Sequence, residues 1–192
     1  MRQTGAAIIA SIAFVLAASL GMANPAPTKV ETYKPFSGHQ LAAGLVVSSR
    51  VRGSCWEGSM ADYARSDAWR CMSGNDIYDP CFSGKLNGSL AVVCGDPWSN
   101  RVVVMSLSAA LPAANAPEAG ADPWALELGD GARCALITGA TGEVDGMRLN
   151  YGCTENESAY GSPHRSNGAW TIAVGVGTST HLRQVSVRVA WY

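Results

Sequence analysis

The sequence predicts a mainly β fold, an antiparallel sandwich or small barrel with one short helix, held by three disulfides. Three observations predict it. Short apolar, β-branched runs are bounded by Gly, Asn, Asp or Pro, and the hairpin dipeptides Asn87-Gly88, Asp130-Gly131 and Asp145-Gly146 sit where those runs must reverse. Six cysteines, an even number, follow a leader of export type. The formal charge is −1, and the 14 basic residues are scattered singly. That excludes the clustered Lys/Arg that a nucleic-acid surface or an electrostatically held membrane protein needs.

The chain starts with Arg2 and an apolar stretch over 6–20, followed by the small residues Gly21 and Ala23 at the −3 and −1 positions of a cut before Asn24. This predicts a signal peptide over 1–23. The stretch is shorter than the roughly 18 residues that span a bilayer, and no later run replaces it, so no membrane span is expected after cleavage. Residues 24–40 carry three prolines and little apolar periodicity, which reads as an extended, partly unstructured lead-in. Residues 41–192 are then expected to form a single disulfide-stapled domain.

Within that domain, strands are expected over 44–51, 90–94, 101–107, 125–128, 132–137, 147–153, 170–176 and 184–191. The last is the cleanest, with Val185, Val187, Val189 and Trp191 alternating against Gln184, Ser186, Arg188 and Ala190. Residues 66–72 have helical character, with Ser66 or Asp67 placed to cap and Gly74 placed to stop the helix. Residues 109–121 and 154–168 read as long loops, the first Ala/Pro-rich and the second polar. Asp-Pro-Trp occurs twice, at 96–98 and 122–124, as a turn opener whose Trp begins a buried face.

Spacing narrows the cysteine pairing. Around a two-residue turn at Asn87-Gly88, facing residues have numbers summing to 175, as Cys81 and Cys94 do. Cys134 and Cys153 flank a longer hairpin, which leaves Cys55 for Cys71, tying the first strand to the helix. A zinc site is disfavoured, because there is no C-x-x-C and His39, His164 and His181 are far apart. Gly53-Ser54-Cys55-Trp56 matches the tail of a papain-type signature, but the upstream Cys is replaced by Arg52 and no Asn follows His181 to orient it. A G-x-S-x-G elbow is missing, and Thr138-Gly139-Ala140-Thr141-Gly142 lacks the Lys of a phosphate loop. The carboxylate pairs Asp76/Asp79 and Glu143/Asp145 lie in turn-rich contexts where Asp serves the backbone.

Six Trp and six Tyr invite a binding platform. Trp56, Trp69 and Trp191 are expected to be packed, and Tyr160, His164 and Arg165, in the polar loop before Trp170, are the better surface candidates. Ser54-Cys55-Trp56, Asp67-Ala68-Trp69-Arg70-Cys71-Met72, Gly74-Asn75, Asp79-Pro80-Cys81-Phe82, Val92-Val93-Cys94 and Tyr151-Gly152-Cys153 resemble a group of small exported, mainly actinobacterial proteins rich in Cys and Trp. The resemblance covers Val51 to the C-terminus. It implies one domain with three bridges and assigns no catalytic residue. Asn75 and Asp76, in its most polar part, complete the candidate binding set. The expected function is a secreted binding or inhibitor module without cofactor or metal, acting on a protein or cell-wall component. The alternative is a secreted hydrolase of wall polymers or peptides, using Asp/Glu with His164 or His181.

Overall fold

The computed structural model describes residues 26–192, so the signal peptide expected over 1–23 lies outside the described residues. The chain begins with three short strands, β1 (Lys29–Glu31), β2 (Phe36–Ser37) and β3 (Gln40–Leu41). Five more follow: β4 (Val46–Gly58), β5 (Ala68–Ser73), β6 (Asp76–Leu86), β7 (Ser89–Cys94) and β8 (Arg101–Leu107). After the long connection come β9 (Ala125–Leu128), β10 (Arg133–Leu136), β11 (Glu143–Val144), β12 (Met147–Cys153), β13 (Glu157–Ser166), β14 (Ala169–Val176) and β15 (Arg183–Trp191). There is no helix among the described residues.

β4 to β8 form a meander that closes on itself, and so do β9, β10, β12, β13, β14 and β15. The parity of the strands decides how each closes. In an up-and-down run of five, the first and last strands point the same way, so β4 meets β8 in parallel, with Val51 opposite Met105. In a run of six they point opposite ways, so β15 meets β9 antiparallel, with Ala190 opposite Leu126. Closure removes the unpaired edges that an open sheet of this size would expose.

Each barrel has its own apolar filling. Cys55, Trp69, Cys71, Cys81, Val92, Cys94 and Met105 fill the first. Leu126, Leu128, Cys134, Tyr151, Ile172, Val174 and Val187 fill the second. A third layer lies between them, where Tyr33, Phe82, Trp124 and Ala125 meet Trp98 and Trp191. Both Asp-Pro-Trp triplets thus place their Trp in this junction, where Trp124 is 1% exposed. Tyr33, Phe82 and Trp124 meet edge-on or tilted, with centroids 5.3 to 5.8 Å apart.

The lead-in is seated. β1 pairs in parallel with the end of β15, and Thr28 bridges the Val187 carbonyl and the Trp170 N–H. β2 and β3 cover Val93, Val102 and Val104 with Phe36 and Leu41. Gly84 makes room, because a Cβ there would sit 2.6 Å from the Phe36 ring.

All three disulfides pair as the spacing predicts, each across directly opposed residues of neighbouring strands. Two local expectations are overturned. Residues 66–72 are not a helix but run into β5, whose hairpin partner β6 follows a two-residue Gly74-Asn75 turn. Burying Trp69 and Cys71 on the core side outweighed a helix of at most two turns, which has little intrinsic stability. Residues 154–168 are not a loop either. They contain β13, which turns through Asn167-Gly168, both at positive φ, into β14.

Candidate binding faces and the buried junction

The three residues expected on one polar loop are separated by the strand they belong to. Tyr160 is buried at 8% exposure and its ring lies against Gly175. His164 is exposed opposite Thr171 and borders a groove of about 570 Å³ with Pro27 and Asn167. Arg165 stacks 4.6 Å over Trp170 and donates to the Ala121 carbonyl and the Tyr192 hydroxyl, with Asp122 at 3.6 Å. Its contacts bind the long connection to the second barrel. Asn75 and Asp76 are exposed at the β5–β6 tip, as expected of surface residues.

Beside that tip runs an apolar stripe that the sequence reading missed. Met72 and Ile77 face each other across β5 and β6, and they are 41% and 58% exposed. Trp56, expected to be packed, sits in the β4 bulge between Cys55 and Glu57 and is 41% exposed. The Arg70 guanidinium lies 5.4 Å from its ring and pairs with Glu57. Behind the stripe, Cys55–Cys71 fixes the β4–β5 pair. Reading Gly74-Asn75 as a hairpin turn is the signal that would have placed Met72 and Ile77 side by side.

The connection from β4 to β5 enters the junction through a web of polar contacts. Ser59 donates to the Asp79 carboxylate at 2.5 Å and accepts the N–H groups of Ala61 and Asp62, while the other Asp79 oxygen accepts the Met60 N–H. Arg65 grips Asp67 with two hydrogen bonds, donates to the Tyr33 carbonyl and lies 4.3 Å over Phe82. Asp79 therefore anchors the β4–β5 connection through Ser59 and the Met60 N–H, and Asp145 occupies a turn at positive φ. The three histidines are exposed on separate segments, so no described histidine stands by the buried Ser59. No group of three or more potential metal ligands is gathered among the described residues.

Asp62 is completely buried, and only one of its oxygens is partnered, by the Ala64 N–H. Burial pushes its carboxyl up to about 6, and the Asp67 and Asp79 carboxylates add to the rise while Arg65 and the Ala64 N–H oppose it. Because the folded state binds this proton more tightly than the unfolded chain, the stability it confers is complete below about pH 4. It is lost as pH rises through about 6. Asp62→Asn keeps the acceptor to Ala64 and removes the charge. The variant is expected to match the wild type at pH 4 and to be more stable by about 2 kcal/mol at pH 7.5. Parallel urea-midpoint curves from pH 4 to 8 would refute this.

No family model, no curated protein and no solved structure matches the chain.

Proposed function

We propose that the protein is an exported binding module that engages a protein partner outside the cell or in its envelope through the outer face of β4, β5 and β6. The observation that carries this reading is the stripe of Trp56, Met72 and Ile77, large apolar groups left in water on β4, β5 and β6, the first two of which are fixed to each other by a disulfide. Contiguous exposed apolar groups with a polar rim mark interaction surfaces, and Trp and Met are enriched there. Rigidity reduces the entropy lost on association. A protein suits the stripe better than a wall polymer, because Trp56 is its sole aromatic and Arg70 already lies over the ring. The leader-like N-terminus and the crosslinks support an oxidising compartment outside the cytoplasm. Asn75 and Asp76 supply the polar end of the same face.

The test is affinity capture from native envelope with the oxidised protein. A protein retained by the wild type should be lost, at least about tenfold, with Trp56→Ala and Ile77→Asp, and retained by the control Val176→Asp on the second barrel. Capture that ignores both stripe variants, or breakdown of wall polymer by the purified protein, would overturn the reading.

A further inference from the structure

The first barrel leaves one stretch of backbone without a neighbour. β4 pairs with β8 over Val46 to Gly53, but its pairing with β5 begins only at Ser54, opposite Met72, because the β5–β6 hairpin turns back at Gly74-Asn75. At the other end Val47 joins Phe36 and Leu41 against Val93, Val102 and Val104. Between the two, Ser49, Arg50 and Arg52 are exposed, and β4 has an open edge. Two hydrogen bonds fix which groups point there. The Gly53 carbonyl accepts the Ser108 N–H on the β8 side, and the Arg52 carbonyl accepts the Ser73 hydroxyl on the β5 side. The N–H and C=O of one strand residue point the same way and successive residues alternate, so Arg50 and Arg52 turn theirs to the open edge. Apart from that hydroxyl, these groups have no hydrogen-bond partner among the described residues. The side chains divide in the same manner. Val51 packs inside the barrel and a Cβ at Gly53 would lie 2.8 Å from the Met105 sulfur, so Arg50 and Arg52 stand on the outer face with Ser54 and Met72. Neither guanidinium makes an ion pair among the described residues, whereas Arg70 on the same face holds Glu57.

An edge of free N–H and C=O groups recruits another strand, and the side chains along it decide which one. A second copy of this chain adding by the same edge would set arginine against arginine, and like charges directly opposite each other destabilise a strand pair. A polyanion without N–H groups would meet the guanidinium groups but leave the Arg50 carbonyl unpaired. An extended peptide offers both donors and acceptors. We propose that an acidic, extended segment of a protein partner adds as a strand to β4 over Ser49 to Arg52, with carboxylates beside Arg50 and Arg52 and an apolar side chain between them beside Val51. The added strand takes the place that β5 vacates at its turn, next to Met72 of the stripe. The choice of a protein as occupant rests on the reading of that stripe as a protein-binding surface.

The experiment is a titration of the ¹⁵N-labelled, oxidised protein with two short end-blocked peptides, one alternating Asp and Val and the other alternating Lys and Val. The Arg50 and Arg52 amide signals are expected to shift saturably with the Asp peptide, with a dissociation constant of about 1 mM, and their hydrogen exchange is expected to slow. N-methylation of the Asp peptide's backbone should abolish the response. The double variant Arg50→Glu/Arg52→Glu, changed only at exposed positions, should weaken binding of the Asp peptide by about tenfold and take up the Lys peptide instead. No response to the Asp peptide, equal responses to the two peptides, binding that survives N-methylation, or movement of the two amides with protein concentration alone would each overturn the assignment. Envelope capture separates the two claims. Capture that Trp56→Ala abolishes and Arg50→Glu/Arg52→Glu leaves intact would keep the stripe and overturn strand addition. Peptide binding without stripe-dependent capture would keep strand addition and count against the stripe.

Discussion

Full reduction of the three disulfides is expected to unfold the protein near room temperature. Each bridge closes a short loop, its cysteines 13 to 19 positions apart in sequence. Loops of that length stabilise a fold by about 2–4 kcal/mol each, mainly by restricting the unfolded chain. Three together rival the whole 5–15 kcal/mol of a typical domain. The double variant Cys81→Ala/Cys94→Ala isolates one of them. It should lose about 3 kcal/mol, or roughly 6–12 °C in melting temperature for a chain of this size. Calorimetry with and without reductant checks both statements. A reduced protein that melts within a couple of degrees of the oxidised one would show that the apolar interiors suffice alone.

Phe82→Ala is expected to be the most damaging single substitution. Phe82 has no exposed surface and meets three groups at the junction of the barrels: the Tyr33 ring, the Trp124 ring and the Arg65 guanidinium. Truncating a buried Phe costs about 3–5 kcal/mol through lost transfer energy and the cavity left behind. The hole here opens between the barrels rather than inside either, so cooperativity should fall with stability. Near-ultraviolet dichroism, which follows the junction Trp residues, should then melt ahead of the far-ultraviolet β signal. Coincident transitions at an unchanged temperature would contradict that role.

Much of this architecture is legible in the residues. The strand runs at 101–107, 125–128 and 147–153 match β8, β9 and β12 at both ends, because each pairs a β-branched or alternating pattern with a nearby turn. The cysteine pairing follows from the same register logic, since Asn87-Gly88 at positive φ sets every opposed pair from Cys81/Cys94 to Leu86/Ser89. What was missed was lost to competing local signals. Ser66, Asp67 and Gly74 look like helix caps when read alone, and only the inward placement of Trp69 and Cys71 identifies β5. Pro80 argues against a strand, yet β6 runs through it. Asn167-Gly168 is as plain a hairpin turn as those used to place other strands, and it would have found β13 inside the polar segment.

The candidate site was less legible because it depends on which residues the sheets leave uncovered. Exposure of Met72 and Ile77 follows from cross-strand pairing across β5 and β6, invisible until both strands are known. Tyr160 illustrates the opposite failure. A polar neighbourhood in sequence suggests a surface residue, but the register shift between Tyr160 and His164 turns the ring inward against Gly175. The open edge of β4 depends on where pairing with β5 begins, at Ser54, and no local pattern encodes that boundary.

The crosslinks join first thiol to second, third to fourth and fifth to sixth. A chain released from a ribosome or a translocation pore with its N-terminus leading would therefore expose each sulfur's correct mate next, before any wrong one became available. No thiol has to wait for a distant partner or be unlinked from a premature one. Assembly in the order of synthesis and oxidation to the native pattern are, for this topology, the same process.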